Sequence, residues 1–315
     1  MNVTYLLQRI LLALVVVWGV TLAVFMIIQI VPGDPARVIL GAYASEESVA
    51  AIRERLGLNR PFLEQYGTWL SRALQGDLGS SLITSQPVAP QLMQRLGPTV
   101  ELALASLLIG LAISFPVGII SAVRPGSRVD IIASFFSQIG VSVPSFWMGI
   151  LLVLLFSLTL GWLPPSGYTP LARDPADWLS HLILPAITTG IVSASILTRF
   201  IRSAMLDVMY QNYMQTARAK GLAENIVINR HGLRNAMINI VTIIGLQMTA
   251  LLSGVVITEV VFGWPGLGRL SLDAVLDRDY PMLQGAVLTI AVMVTLINLI
   301  VDLLYFFLDP RIEYA

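Results

Sequence analysis

The chain has 315 residues, of which 56% are hydrophobic and only 12% carry a charge. Soluble domains contain roughly 25% charged residues, so this composition excludes an ordinary soluble domain and predicts a membrane protein. The formal net charge is zero, which gives no overall basic field to attract nucleic acid. The absence of cysteine excludes disulfides, thiolate metal ligands and a cysteine nucleophile.

Six stretches without a charged residue are long enough to cross a bilayer, because a membrane-spanning helix needs about 20 apolar residues. They are bounded by Arg9 and Asp34, Glu101 and Arg124, Asp130 and Arg173, Asp177 and Arg199, Arg234 and Glu259, and Asp279 and Asp302. The third stretch ends in turn-forming residues from Pro164 to Pro170 and is counted once. We therefore predict an all-α, polytopic membrane protein with six transmembrane helices.

Residues 1–31 are predicted to form the first membrane helix. Its apolar stretch runs past the roughly 7–15 residues of a signal peptide, so it is expected to remain as an anchor. A turn-forming run that starts at Pro32 should end it. Residues 32–96 are predicted to form a small extracytoplasmic insertion, with one short helix that ends at Gly57 and an amphipathic helix after Pro61. This insertion is either a binding surface over a pathway or a packing element, and both alternatives stay open.

Residues 97–308 contain the other five predicted spans, and Gly, Ser, Ala and Thr are frequent in the second to the fifth. Small residues let helices approach closely where lipid provides no hydrophobic drive. Pro116, Pro144 and Pro185 are expected to mark bends, because proline interrupts helical hydrogen bonding. Trp264 follows the fifth span and is expected at the membrane interface, where tryptophan is enriched.

Polar residues inside the spans should turn away from lipid. Some are expected to line a solute pathway, and for each the alternative is a hydrogen bond between helices. Three acidic residues, Glu101, Glu259 and Asp302, lie at span edges where we expect water to reach them, which disfavours a buried proton relay. The candidate pathway residues are Gln138, Ser142, Ser145, Thr242, Gln247 and Ser253.

Residues 210–236 form the longest polar, cationic segment between two apolar stretches. A helix is predicted from Tyr210 to Arg218, and Gly221 should interrupt it. A second helical segment is predicted between Leu222 and Asn235. The first helix has an apolar stripe made of Tyr210, Tyr213, Met214 and Ala217. The charges around the break are Arg218, Lys220, Arg230 and Arg234.

The basic residues of the short loops concentrate on one side of the six-span arrangement. They lie in the 210–236 loop, at both chain ends and in the loop that holds Arg124 and Arg128. The positive-inside rule therefore predicts that the 210–236 loop and both termini, including a tail of residues 309–315, are cytoplasmic.

The sequence lacks the motifs of nucleotide hydrolysis and zinc binding. A P-loop needs Gly-Lys followed by Ser or Thr, whereas the single lysine, Lys220, is preceded by Ala219 and followed by Gly221. The chain therefore cannot hydrolyse ATP by itself. His181 and His231 do not have the HExxH spacing of a zinc site. No catalytic residue and no metal site are predicted.

Several segments resemble one family. The run from Thr216 to Leu222, TARAKGL, is followed by HGLRNA from His231 to Ala236. Together they resemble the cytoplasmic loop of permease subunits of binding-protein-dependent ABC importers, above all the dipeptide, oligopeptide, nickel and glutathione branch. The resemblance extends along essentially the whole chain, through VPGDP at 31–35, GDLGSS at 76–81, LGWLP at 160–164 and WPGLGR at 264–269.

This resemblance implies the type I ABC importer permease fold in the cell inner membrane, for a transport subunit that is not an enzyme. In the family the loop forms a coupling helix that docks on an ATPase. The resemblance implies that role for Tyr213, Thr216, Ala217, Arg218, Lys220, Gly221, Leu222, His231, Arg234 and Asn235. The implied partners are a second homologous permease in a heterodimer, two ATP-binding subunits that hold ATP and Mg, a solute-binding protein, and membrane lipid.

Short peptides are the substrate that the resemblance favours, with glutathione and nickel chelates as alternatives. A different class of function is an ion-coupled secondary transporter. That class calls for intramembrane carboxylates or inverted repeats, and neither is visible in the sequence. A structural adaptor without a pathway is disfavoured by the polar residues along the third and fifth spans.

Overall fold

The computed structural model describes residues 3–30, 35–40, 44–55 and 59–308. Within these ranges the chain is helical apart from its connections and one isolated antiparallel bridge between Ser80 and Pro87. Residues 32–34 of the turn-forming run, Gly57 and the tail of residues 309–315 lie outside the described residues, so the predictions made for them stay predictions. The described chain forms two compact units, one from residues 100–264 and 296–308 and one from residues 6–99 and 265–295.

The described helices run in chain order, and two of them continue into π-helical turns. They are α1 (Val3–Ile30), α2 (Pro35–Leu40), α3 (Glu46–Arg55), α4 (Phe62–Ala73), α5 (Val88–Val123), α6 (Arg128–Ser142), α7 (Ser145–Leu152) with the π-helical turn Val153–Thr159, α8 (Pro175–Met209), α9 (Asn212–Ala219), α10 (Glu224–Ile226) with the π-helical turn Val227–Leu233, α11 (Arg234–Gly254), α12 (Val256–Val261), α13 (Leu267–Leu276) and α14 (Tyr280–Leu308). The all-α prediction is confirmed for the described residues.

Five continuous helical stretches are long and apolar enough to cross a membrane, and a bent pair brings the number to six if it counts as one span. The bent pair corresponds to the third predicted span, so that span is broken rather than straight. The five continuous stretches are Leu7–Met26, Val88–Val123, Pro175–Met209, Glu224–Ser253 and Tyr280–Leu304. The bent pair is Arg128–Ser142 with Ser145–Thr159, and its two halves meet at 101°.

Proline explains where the third span bends. Val143 has extended backbone angles, φ −82° and ψ 125°, directly before Pro144. The proline ring disfavours a helical conformation in the preceding residue, so α6 ends there and α7 restarts after Pro144. The predicted bend is therefore confirmed at this position. In contrast, Pro116 and Pro185 lie inside the continuous helices α5 and α8.

Helix α8 is the most buried of the five continuous spans and is central to the first unit. Helices α6, α7 and α11 pack against it, and α5 approaches it through glycine. A Cβ atom added at Gly190 of α8 would lie 2.9 Å from Cβ of Ile109 and 3.2 Å from the carbonyl oxygen of Ser106. The hydroxyl groups of Ser106 and Thr189 form a buried hydrogen bond between the same helices. Close backbone approach and polar contacts are the means by which membrane helices associate.

The second unit contains an aromatic cluster where α4 packs on α1. Phe25 makes edge-on contacts with the rings of Phe62 and Tyr66, at centroid distances of 5.4 and 5.5 Å. The hydroxyl group of Tyr66 hydrogen-bonds that of Thr21 at 2.8 Å. The amphipathic helix predicted after Pro61 is thus observed, and its aromatic face is packed within this unit.

The second unit also has a carboxylate that fixes a loop. Asp279, just before α14, is buried and accepts hydrogen bonds from the Ser81 hydroxyl and from the backbone N–H of Leu82 at 3.1 Å. It also caps α14, because it accepts a bond from the N–H of Met282. Helix α5 begins at Val88, a few residues beyond this loop and inside the segment predicted as 32–96.

The structure corrects two expectations about exposure. Glu259 was expected at a water-accessible span edge, yet it is fully buried in α12. Trp264 was expected at the membrane interface, but it is also fully buried and packs edge-on against Tyr168 at 4.7 Å. Sequence position alone misplaced both because their burial comes from tertiary contacts, such as that of Trp264 with Tyr168 from the loop before α8. Glu101 and Asp302 are partly buried.

The packing at α8 gives a stability prediction. Gly190→Ala should lower the melting temperature of the detergent-solubilised protein, because its methyl group meets the β-branched Ile109 and forced overpacking costs about 1–3 kcal/mol. Gly97→Ala in α5 is the matched control, since a Cβ atom there meets nothing within 4 Å. Equal melting temperatures for both variants would show that the contact between α5 and α8 is looser than described.

Candidate functional site

The 210–236 loop is built from α9, a tight turn, α10 and the π-helical turn Val227–Leu233. Met214 and Ala217 of α9 are buried and form a small apolar cluster with Val227. Val208 and Met209, from the last turn of α8, pack against this cluster. The loop is therefore attached to α8 by side-chain packing as well as by the chain itself.

The predicted apolar stripe divides into two parts. Met214 and Ala217 face the cluster, whereas Tyr210 is 72% exposed and Tyr213 is 42% exposed. Tyr213 also hydrogen-bonds Asn235, and its partial burial raises the pKa of its hydroxyl group. Tyr213 is thus left at the surface of α9, whose other face is fixed to the protein. Tyr210 follows the end of α8 and lies outside α9, which begins at Asn212 and not at the predicted Tyr210.

Gly221 ends α9 in a conformation that favours glycine. Its φ is +74°, in the left-handed region that side chains disfavour. The N–H of Leu222 donates to the carbonyl of Ala217, and the N–H of Gly221 donates to that of Arg218. This pair of bonds is the Schellman arrangement that commonly closes helices. The predicted break at Gly221 is confirmed, and it is a defined turn.

An ion pair connects the two sides of this turn. The guanidinium group of Arg218 donates to the carboxylate of Glu224 from Nη2 at 2.9 Å and from Nε at 3.2 Å. Glu224 lies in the first turn of α10, where a negative charge is favourable. Arg218 therefore does not add a free positive charge to the loop. Sequence reasoning missed Glu224, although its place at a helix start was visible.

The second half of the loop runs directly into the fifth span. The predicted segment between Leu222 and Asn235 becomes α10, a π-helical turn and the start of α11, without a break between them. Gly232 is buried at the π-helical turn, and a Cβ atom there would lie 3.4 Å from Cε of Met214 and 3.5 Å from Sδ of Met209. Glycine at this position therefore lets α9 and the end of α8 lie close to the turn.

The other candidate residues of the loop occupy its outer surface. Thr216 is exposed and donates only to the carbonyl of Asn212 in its own helix. Asn235 is exposed and donates to the carbonyl of His231, which is partly buried. The remaining exposed candidates are Lys220, Leu222 and Arg234. Together with Arg230, they give the loop a cationic outer surface beside the exposed tyrosines.

The six candidate pathway residues are dispersed along several helices. Gln247 of α11 is buried and donates to the hydroxyl of Ser193 in α8 at 2.9 Å, which is the interhelical bond considered as its alternative role. The hydroxyl groups of Ser142, Thr242 and Ser253 donate to carbonyls within their own helices. Gln138, Ser142 and Ser253 are exposed, while Ser145 and Thr242 are partly buried.

A further polar cluster lies at the start of α8, and none of its residues is among the site residues predicted from the sequence. The carboxylate of Glu101 accepts hydrogen bonds from the indole of Trp178 at 2.9 Å and from the hydroxyl of Tyr168 at 3.3 Å. Burial, with the Glu101 charge beside it, raises the pKa of Tyr168 to about 12. The hydroxyl therefore stays protonated and holds the loop before α8 in place. No sequence pattern connects these positions, which are far apart in the chain.

The helical spans, and the fixed loop between two of them, define an α-helical membrane protein that crosses the bilayer several times. Residues 114–314 match the family described as binding-protein-dependent transport system inner membrane component, and residues 2–103 match the description of its N-terminal part. This chain belongs to that family.

The chain is 39% identical to the dipeptide transport system permease protein DppB of Alkalihalophilus pseudofirmus, over 98% of this chain and 99% of the relative. It is 41% identical to the glutathione transport system permease protein GsiC of Escherichia coli O6:H1, with the same coverage. Among solved structures, the MetNI methionine ABC transporter in an inward-facing conformation aligns with a TM-score of 0.58 at 16% identity, covering 69% of this chain and 96% of the other. The predicted type I ABC importer permease fold is thus confirmed.

The apolar cluster gives a prediction for the loop. Met214→Ala should make the loop more sensitive to trypsin at Arg218 and Lys220, because truncating a buried methionine costs about 2–5 kcal/mol and loosens α9 from α8. Thr216→Ala is the control on the same helix, since its side chain is exposed. Equal cleavage rates in the two detergent-solubilised variants would contradict the packing described for α9.

Proposed function

We propose that this chain is the membrane-spanning subunit of an ABC importer that moves short peptides across the cytoplasmic membrane. Separate ATPase subunits dock on the 210–236 loop and drive the transport. The observation that carries this proposal is the construction of the loop. One face is fixed to α8 by buried Met214 and Ala217, and the other exposes tyrosines and cations to a partner. A surface helix fixed in this way transmits force applied by its partner to the span behind it.

The proposed assembly contains this chain, a second homologous permease, two ATP-binding subunits that hold ATP and Mg, and a solute-binding protein on the opposite side. Each permease supplies one loop of this kind, so a pair of permeases binds two ATPase subunits. The loop must then lie in the cytoplasm. The excess of arginine in the short loops on its side of the membrane supports this orientation, with both termini cytoplasmic.

Short peptides are the proposed substrate because relatives such as the dipeptide permease of A. pseudofirmus are similar over nearly their whole length. The glutathione permease of E. coli is similar to the same degree, so glutathione is the first alternative and nickel chelates are the second. Exposed polar residues of the spans support a permissive polar route. We propose that Gln138, Ser142 and Ser253, which are exposed, line that route together with the partly buried Ser145 and Thr242. Gln247 is buried and bonded to Ser193, so it is proposed to join α11 to α8 and not to line the route.

Gly221 provides the test of the proposed function. In the reconstituted complex with its ATPases and binding protein, Gly221→Val should reduce ATP-driven uptake of a labelled dipeptide by about tenfold or more. A β-branched residue resists the left-handed conformation, so the turn and the loop surface change together. Gly221→Asn should keep most of the uptake, because asparagine tolerates that conformation.

Both variants should insert into the membrane as well as the parent chain, because a side chain at this position meets nothing within 4 Å. Full uptake by Gly221→Val would contradict the docking role of the loop. Uptake by the purified chain alone, driven by an ion gradient without ATP, would overturn the importer proposal in favour of a secondary transporter.

A further inference from the structure

A two-point ion pair joins α6 to α8 within the first unit. Nε of Arg202 donates to Oδ1 of Asp130 at 2.6 Å, and Nη2 of Arg202 donates to Oδ2 at 2.9 Å. The Asp130 side chain is only 7% exposed and that of Arg202 is 32% exposed. Two parallel bonds to one carboxylate fix both distance and direction.

The structure also fixes Asp130 from its own side. Ser127 caps α6, and its hydroxyl group accepts a bond from the N–H of Asp130. The Asp130 carboxylate reaches back to accept a bond from the N–H of Gly126 at 2.9 Å. The carboxylate therefore holds the turn before α6, the first turn of α6 and Arg202 of α8 in one arrangement.

The rest of the contact of α6 with α8 is a close approach of small residues. The buried residues of α6 are Asp130, Ala133, Ser137 and Gly140, so every buried side chain except Asp130 is small. At Gly140 the approach is so close that the Ser195 side chain of α8 occupies the space of a Cβ atom. The ion pair is the contact of α6 with α8 that combines opposite charges with a fixed direction, and it lies near the end of α8 that leads to α9.

Arg202 is about two helical turns before the end of α8, and α8 leads directly to α9. Val208 and Met209 of that last stretch pack against the cluster of Met214, Ala217 and Val227. A displacement of α9 therefore reaches Arg202 through packed side chains and a continuous helix. At its other end, α6 meets the bend at Pro144 and continues into α7.

We propose that Asp130 and Arg202 are positioning residues for energy coupling: their ion pair makes α6 and α7 follow the movement of α8 and the 210–236 loop. This inference rests on the proposed function, since it needs an ATPase that moves the loop. The loop passes movement to α8, and the inference assigns to Asp130 and Arg202 the next step, from α8 to α6 and α7.

The first test measures solute transported per ATP hydrolysed in the reconstituted complex. Asp130→Asn and Arg202→Gln should each lower this ratio by about threefold to tenfold, a range typical of mutations that change coupling between sites. The double variant should be no worse than either single one, because both remove the same interaction. Arg202→Lys keeps the charge but not the two-point geometry, so its ratio should lie between those of Arg202→Gln and the parent.

Arg199→Gln is the matched control. Arg199 is exposed on the same helix, one turn before Arg202, and its loss should leave the ratio unchanged. Assembly of the complex is measured in parallel by size-exclusion chromatography. If Asp130→Asn leaves the ratio of solute transported to ATP hydrolysed unchanged, the inference is overturned but the proposed function is not. Additive losses in the double variant have the same consequence. Absence of ATP-driven uptake in the parent complex overturns the proposed function, and the inference with it.

A second measurement is independent of uptake and uses the absence of cysteine from the chain. Spin labels are placed on Val129→Cys in α6 and Phe200→Cys in α8, both about half exposed. In the assembled complex with the ion pair intact, the distance between the labels should stay constant through nucleotide binding and release. In the Asp130→Asn background it should vary with the nucleotide state. A distance that already varies in the parent overturns the inference.

Discussion

Close packing on α8 is the constraint on which the first unit depends. Lipid tails are as apolar as leucine, so these helices gain little from apolar contact alone and rely on near approach and buried polar bonds. Gly190 admits Ile109 of α5, and Ser193 accepts a bond from Gln247 of α11. Because several helices pack on α8, the position of α8 determines the positions of its neighbours.

The same helix holds the 210–236 loop, by a different kind of interaction. The contact between the end of α8 and α9 is an apolar cluster around Met214, outside the apolar part of the span, where water makes burial favourable. The turn at Gly221 and the pair of Arg218 with Glu224 then set the direction of the chain towards α11. The docking role proposed for the loop requires this combination, because a docking surface must be rigid relative to the span that it moves.

The sequence predicted the features that arise from local periodicity and chain stereochemistry. Charge-free stretches located the spans, Pro144 marked a true break, and Gly221 marked the end of α9. These three predictions are correct because the length of an apolar stretch and the conformations of proline and glycine are local properties of the chain. The burial of Glu259 and Trp264 was missed, because it depends on tertiary contacts such as that of Trp264 with the distant Tyr168. A charge at a span edge looks the same in sequence whether water or protein covers it.

The sequence by itself determined that the chain is an α-helical membrane protein, and its motifs along the whole length identified the permease family. The tertiary structure alone decided which polar residues are partners. Asp130 with Arg202, Glu101 with Trp178, and Gln247 with Ser193 are each separated by more than fifty positions. Such pairs carry no periodic signal, because their geometry exists only after the helices have packed and brought distant side chains within hydrogen-bond distance.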